Sequence, residues 1–78
     1  MKVLRVGIIG AGAIAQKFVD AAAGVDGYIL EWVSASREDT AAAFAKRNGI
    51  PRYTGNTEEL LAQELDFVYI ATPNHLHF

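Results

Sequence analysis

The chain has 78 residues, of which 51% are hydrophobic and 21% are charged, so it amounts to one small globular unit and not a multidomain enzyme. Its net charge of −2 and its scattered aromatic residues exclude the basic surface that general nucleic-acid binding requires. It has no cysteine and no apolar run near the roughly 20 residues that span a bilayer, which favours a cytoplasmic protein without membrane contact.

The first third of the chain predicts a strand, a helix and a second strand. Residues 3–9 are mostly apolar without alternation, which is typical of a parallel strand buried on both faces. Apolar residues then recur at helical spacing over residues 14–22, and Gly24 is a suitable end for this helix. A second apolar run over residues 28–35 predicts the second strand.

A second helix follows this strand. Ser36 can cap its N-terminus, with Asp39 three residues later, and the helix continues through the alanine-rich segment 40–47. Gly49 stands where a left-handed cap would end the helix, and Pro51 prevents its continuation.

The rest of the chain predicts two strands around one short helix. Residues 52–54 form a short third strand, and Asn56 with Glu59 resembles a capping box for a helix that ends at residue 61 or 62. Residues 67–71 again have the pattern of a buried strand, which Pro73 terminates.

Strands that alternate with helices predict right-handed crossovers and a parallel sheet. The expected α/β fold is half of a doubly wound Rossmann fold, a parallel four-stranded sheet of order 3-2-1-4 with flanking helices. The last residues, HLHF, stop where a further helix would begin. We therefore expect a truncated domain or a piece of a longer chain.

The turn after the first strand carries the pattern G-x-G-x-x-G/A over residues 10–15. Gly10 permits the tight turn, Gly12 lets the backbone approach a pyrophosphate, and Ala15 keeps helix and strand close. The free N–H groups at the helix N-terminus attract the anion. This context favours dinucleotide binding over the alternative that the glycines serve only a tight turn.

The residues after the second strand bear on which dinucleotide is bound. An acidic residue at this position would bind the ribose hydroxyls of NAD, whereas a small polar residue followed by an arginine suits the 2′-phosphate of NADP. Here the two residues are Ser36 and Arg37. The pair favours NADP. NAD stays open as the alternative because Glu38 and Asp39 place negative charges beside the pair. The opposing interpretation makes Ser36 only a helix cap and Arg37 a solvated side chain.

Four segments together resemble the glucose-fructose oxidoreductase and inositol dehydrogenase family, Gfo/Idh/MocA. They are VGIIGAGAIA, SRE followed by AxxFAKRNGIP, YTGNTEELLA and DFVYIATPNHLH. The resemblance covers essentially all 78 residues and implies a pyridine-nucleotide oxidoreductase acting on sugars, polyols or related compounds. It also implies an N-terminal Rossmann domain, of which residues 1–78 are a part, and a C-terminal α/β domain that carries most of the substrate site.

The resemblance assigns cofactor contacts to residues at three places in the chain. The pyrophosphate turn would be lined by Gly10, Ala11, Gly12, Ala13 and Ile14. The adenosine end would be met by Ser36 and Arg37. The nicotinamide side would be lined by Ala71, Thr72, Pro73, Asn74 and His77. The family's catalytic lysine and its downstream Asp and His have no counterpart in this sequence, so we assign no catalytic residue to it.

Other polar and aromatic residues carry weaker interpretations. His75 and His77 would point about 200° apart on a helix, so they predict no metal site. Glu31 and Asp66 are expected to face solvent at the starts of strands and not to form an acid/base pair. Trp32 is expected to pack in the core.

Two other functions stay open at this point. The chain could be a structural piece that self-associates and binds no cofactor, since the fourth strand would present an apolar edge. Pairing of that edge with a second copy predicts a homodimer. A different nucleotide-type ligand, such as a flavin or S-adenosylmethionine, is less favoured because the second strand ends without an acidic ribose ligand.

Overall fold

The computed structural model describes residues 3–71. Its elements are β1 (Leu4–Ile9), α1 (Ala13–Ala22), β2 (Tyr28–Ser34), α2 (Glu38–Asn48), β3 (Arg52–Thr54), α3 (Thr57–Leu61) and β4 (Phe67–Ile70). The strands are parallel and lie in the order β3-β2-β1-β4. The predicted α/β half-Rossmann architecture is therefore confirmed. Within residues 3–71, no helix is long and apolar enough to cross a membrane.

One face of the sheet packs against α1 and α2. Ile8 of β1 and Val33 of β2 are neighbours in register, and both are fully buried. Ala15 of α1 and Phe44 of α2 close over them. On β4, the ring of Tyr69 stacks on the ring of Phe18 from α1. The small volume of Ala15 lets α1 lie close to the sheet, which is the role predicted for this position.

The opposite face is covered by α3 and the segment that follows it. Gly7 of β1 needs to be small here, because a Cβ at this position would lie 2.6 Å from Leu65 Cδ1 and 3.2 Å from Leu60 Cδ2. Trp32, which pairs with Gly7 in register, is 8% exposed, so its prediction as a core residue is confirmed. The guanidinium of Arg52 lies 5.9 Å from the Trp32 ring centroid.

The ends of α2 and α3 largely follow the predicted capping. Gly49 adopts the left-handed conformation, with φ of 71°, at the end of α2. At the start of α3, Asn56 Oδ1 accepts a hydrogen bond from Glu58 N at 2.9 Å. The second half of the capping box passes through Thr54, whose hydroxyl accepts from Asn56 N at 3.0 Å and donates to the Glu59 carboxylate.

The predicted cap at Ser36 is wrong. The N-cap of α2 is Arg37, which is extended (φ −129°, ψ 140°) and makes no side-chain capping bond. The backbone of Ala35 still donates to Thr54 O at 3.2 Å, so strand-like pairing continues past β2 and delays the helix start. Asp39 Oδ1 instead accepts from Thr40 N at 2.9 Å in the first turn.

The expectation that Glu31 faces solvent is also wrong. Val6 of β1 pairs with Leu30, but the next residue, Gly7, pairs with Trp32, so Glu31 is an extra residue in β2. Its carboxylate accepts from Arg5 Nε at 3.1 Å, and its side chain is 15% exposed. This hydrogen bond lowers the pKa of Glu31 and raises that of Arg5. Asp66 is exposed as expected, and its Oδ2 accepts from Arg5 N at 2.8 Å.

The predicted burial of β4 is only partly correct. Tyr69 is half-buried and stacks on Phe18 with ring centroids 4.0 Å apart. Phe67 and Ile70, however, are 51% and 66% exposed. Among the described strands β4 pairs with β1 alone, so its outer edge and parts of both faces have no covering element within this part of the chain.

Candidate functional site

The carboxyl ends of three strands are joined by backbone hydrogen bonds at one edge of the sheet. Gly10 N donates to Ser34 O at 2.7 Å, which joins the end of β1 to the end of β2. Ala71 N donates to Ile9 O at 2.8 Å, which joins β4 to β1. The glycine turn, the Ser36-Arg37 pair and Ala71 therefore lie at the same edge, where ligands of open parallel sheets bind.

The two glycines of the turn are required for different reasons. Gly10 has a φ of 115°, a conformation that L side chains rarely adopt, so the turn itself requires glycine there. Gly12 has φ −98° and ψ −160°, which any residue can adopt, and a Cβ on it would meet nothing within 4 Å. Neither the backbone nor the packing of residues 3–71 requires glycine at position 12. The open space in front of it suits a ligand that approaches the backbone closely.

The N-terminus of α1 fits an anion. Gly12 is the N-cap and makes no side-chain capping bond, and the first turn holds no acidic residue. The first helical bond at this end runs from Gln16 N to Gly12 O at 3.0 Å, so the earlier N–H groups have no partner within the helix. Ala13 and Ile14 of this turn are exposed. The partial positive charge of the helix end therefore faces accessible space.

The pair at the end of β2 is exposed, and its arginine has a partner. Arg37 Nε and Nη2 donate to Asp39 Oδ1 and Oδ2 at 3.1 and 2.9 Å. The side chains of Arg37 and Asp39 are 74% and 66% exposed. Ser36 is exposed and is not the helix cap. The alternative interpretation made Ser36 a helix cap and Arg37 a solvated side chain. The capping role of Ser36 is wrong, and Arg37 is exposed but paired with Asp39.

A cavity of about 310 Å³ lies between the glycine turn and α2. Ala11 forms its wall on the turn side, and Asp39, Thr40 and Arg47 contribute polar groups from α2. Thr40 and Arg47 were not identified from the sequence as site residues. Their helical spacing is that of any exposed helix face, and only the placement of α2 beside Ala11 brings them to the turn.

The predicted residues on the nicotinamide side are only partly described. Ala71 is 2% exposed and packs in the core, with its N–H donated to Ile9 O. Thr72, Pro73, Asn74 and His77 lie outside the described residues. Over residues 3–71, no group of three or more His, Cys, Asp or Glu side chains could hold a metal ion.

Two other cavities lie at the amino ends of the strands, away from the glycine turn. One, of about 400 Å³, is lined mainly by apolar side chains that include Phe18, Val25 and Phe67. The other, of about 580 Å³, lies between β2 and the C-terminus of α2. Neither contains a predicted cofactor residue, so the carboxyl edge remains the candidate site.

Comparison with known proteins gives a family match and several relatives. The model of an oxidoreductase family with an NAD-binding Rossmann fold, GFO_IDH_MocA, matches residues 4–78. The 1,5-anhydro-D-fructose reductase of Ensifer adhaerens is 39% identical over 75 residues, which are 94% of this chain and 22% of that protein.

Two solved structures have the same fold over nearly the whole chain. KijD10, a 3-ketoreductase from Actinomadura kijaniata in complex with TDP-benzene and NADP, superimposes with a TM-score of 0.81 at 29% identity, covering 97% of this chain and 24% of that one. The WlbA dehydrogenase of Chromobacterium violaceum in complex with NADH and UDP-GlcNAcA gives 0.83 at 28% identity, covering 99% and 23%. The chain spans about a quarter of the length of the curated relatives it matches.

Proposed function

The chain belongs to the Gfo/Idh/MocA oxidoreductase family, and on this premise we propose that residues 1–78 form the cofactor-binding part of an NAD(P)-dependent oxidoreductase. The observation that carries the proposal is Gly12, whose glycine is needed by neither the backbone nor the packing of residues 3–71. The opposing function, a structural piece that binds no cofactor, leaves the open position at Gly12 without a role.

In this proposal the glycine turn binds the pyrophosphate and α1 supplies backbone N–H groups to it. The contacts on this side come from Gly10, Ala11, Gly12, Ala13 and Ile14. Bound NAD(P) supplies the hydride or accepts it. The chain's own residues hold the dinucleotide across the carboxyl ends of β1, β2 and β4, with the backbone of Ala71 on the nicotinamide side. Thr72, Pro73, Asn74 and His77 are proposed for the same side from the family resemblance.

We propose NADP as the preferred cofactor, with NAD as the alternative. In this proposal Ser36 Oγ and the Arg37 guanidinium contact the 2′-phosphate of the adenosine ribose, which is supported by the ability of guanidinium groups to bind phosphate through paired hydrogen bonds. Relatives with both cofactors are known, since KijD10 was solved with NADP and WlbA with NADH.

The proposed substrate class is a sugar, a polyol or a related compound. This class is supported by the names of relatives, which include a 1,5-anhydro-D-fructose reductase and a dehydrogenase in complex with UDP-GlcNAcA. No catalytic residue is assigned within residues 1–78. We propose that groups outside this chain bind the substrate and transfer its proton. A cytoplasmic location is part of the proposal because the chain has no cysteine.

We also propose that the 78-residue chain self-associates through β4 as a homodimer. Phe67 and Ile70 are 51% and 66% exposed on the edge strand of the described sheet, and unpaired edges of this kind pair readily with other strands. A second copy related by a two-fold axis would cover both the edge and these side chains.

Isothermal titration of the 78-residue chain with NADPH and NADH tests the proposed cofactor site. NADPH should bind more tightly, and Arg37→Ala should weaken NADPH binding by about tenfold or more, since a charge-assisted hydrogen bond contributes about 1.5–3 kcal/mol. Lys46→Ala, which removes an exposed cation from the last turn of α2, is the matched control and should change neither affinity. Equal weak binding of both cofactors would reject the 2′-phosphate assignment. Absence of binding to either would reject the cofactor site itself.

A further inference from the structure

The Arg37–Asp39 ion pair occupies the place proposed for the 2′-phosphate. Both bonds of the pair use one edge of the guanidinium, Nε and Nη2, at 3.1 and 2.9 Å from the two carboxylate oxygens. This edge is one of the two through which an arginine binds a phosphate with paired hydrogen bonds. A phosphate that takes this edge must displace the carboxylate, and one that takes the other edge lies beside a negative charge.

Asp39 is held in position independently of Arg37. Its Oδ1 accepts from Thr40 N at 2.9 Å in the first turn of α2, where the helix dipole also favours a negative charge. Asp39 and Thr40 both line the cavity that borders Ala11 of the glycine turn. Asp39 therefore has a hydrogen bond within its own helix and is one of the residues that line the cavity beside the glycine turn.

We infer that Asp39 is a specificity-determining residue that lowers the preference of this site for the phosphorylated cofactor. This inference rests on the proposed cofactor site. Asp39 competes with the 2′-phosphate for Arg37 and repels it, whereas NAD, which has a hydroxyl at that position, meets neither effect. Because an exposed ion pair is weak, the carboxylate reduces discrimination without abolishing it. The pair thus adjusts the site toward acceptance of both cofactors.

Titration of Asp39→Asn with NADPH and NADH tests the inference. Asparagine retains a side-chain oxygen for Thr40 N but loses the charge. We expect NADPH affinity to rise about fivefold at low salt, which corresponds to about 1 kcal/mol, and NADH affinity to change less than twofold. Circular dichroism verifies that the variants are folded. The gain should shrink as ionic strength rises, because the pair is exposed.

Two further variants separate competition for Arg37 from a general charge effect. Glu38→Gln removes the same charge one residue away, and it should raise NADPH affinity less than twofold. In an Arg37→Ala background, Asp39→Asn should give less than a twofold gain, because only the repulsion of the phosphate is then removed and the competition for Arg37 is already gone. An equal gain from Glu38→Gln, or a full gain in that background, would overturn the inference. If the chain binds NADPH but Asp39→Asn leaves that affinity unchanged, the inference is overturned and the proposed cofactor site stands. Failure of the unmodified chain to bind either cofactor would overturn both.

Discussion

Gly12→Ala should separate folding from cofactor binding. At the N-cap, alanine is less favourable than glycine by about 0.5–1 kcal/mol. The same change removes conformational freedom from the unfolded chain and stabilises the fold by about 0.4–1 kcal/mol, provided that the native backbone accepts it. At φ −98°, with no atom within 4 Å of the new Cβ, Gly12 meets that condition. The two contributions nearly cancel, so the free energy of unfolding should stay within about 0.5 kcal/mol of its original value.

Binding should respond quite differently to the same methyl group. If the pyrophosphate lies against the backbone at Gly12, the Cβ intrudes on it, and overpacking of this kind costs about 1–3 kcal/mol. The expected loss of NADPH affinity is therefore about fivefold to 150-fold. Titration calorimetry measures this loss, and urea unfolding followed by circular dichroism measures stability in the same preparation.

Two other glycines serve as controls for Gly12→Ala. Gly24→Ala also places its Cβ in open space and has no positive φ, but it lies at the far end of α1, so it should change neither stability nor affinity by much. Gly10→Ala forces an L side chain to φ 115° and should destabilise the fold by about 1–3 kcal/mol. Unchanged NADPH binding by Gly12→Ala would refute the argument that its open position belongs to the cofactor.

Three further predictions concern the sheet. Arg5 lowers the pKa of Glu31 in the folded state, so the Arg5–Glu31 pair should contribute its full stabilisation above the unfolded pKa near 4.5. This contribution should decrease as the pH falls from there through the lower folded pKa. Glu31→Gln should flatten this dependence in urea titrations from pH 7 to pH 3, and an unchanged slope would contradict the assignment. Gly7→Ala should destabilise the fold by about 1–3 kcal/mol because its Cβ would lie 2.6 Å from Leu65 Cδ1; Leu65→Ala in the same chain should recover part of that loss in urea unfolding. Ile70→Lys should shift the 78-residue chain from dimer to monomer in sedimentation equilibrium, since a 66% exposed side chain contributes little to folding; a monomeric parent chain would disprove pairing through β4.

The element order and the sheet order could be predicted because they depend on local patterns and on chain handedness. Apolar runs separated by helical spacing leave few parallel topologies, and the right-handed crossover selects among them. Gly49 was predictable as a cap for a related reason, since its left-handed conformation and the following Pro51 are local signals. The pattern G-x-G-x-x-G/A marked the turn, but only the structure separates the backbone requirement at Gly10 from the open space at Gly12.

The incorrect predictions for Ser36 and Glu31 both depend on contacts between residues distant in sequence. Ser36 has the composition of a cap, but the bond from Ala35 N to Thr54 O keeps the chain extended past it. Glu31 was predicted to face solvent, yet the register shift in β2 brings its carboxylate to Arg5 on the neighbouring strand. The ion pair between Arg37 and Asp39 was likewise not apparent, because the spacing of two residues at a helix start does not by itself predict a side-chain contact.

The buried tryptophan has a practical consequence for spectroscopy. Trp32 is the only tryptophan in the chain, so all indole fluorescence comes from one position on β2. Because Trp32 is 8% exposed and the Arg52 guanidinium lies over its ring, aqueous quenchers should reach it only after the sheet opens. It lies two residues from Ser34, at the edge where the dinucleotide is proposed to bind. Energy transfer from this single donor to a reduced nicotinamide would therefore report occupancy directly, without a label, and the oxidised cofactor would provide the optical blank.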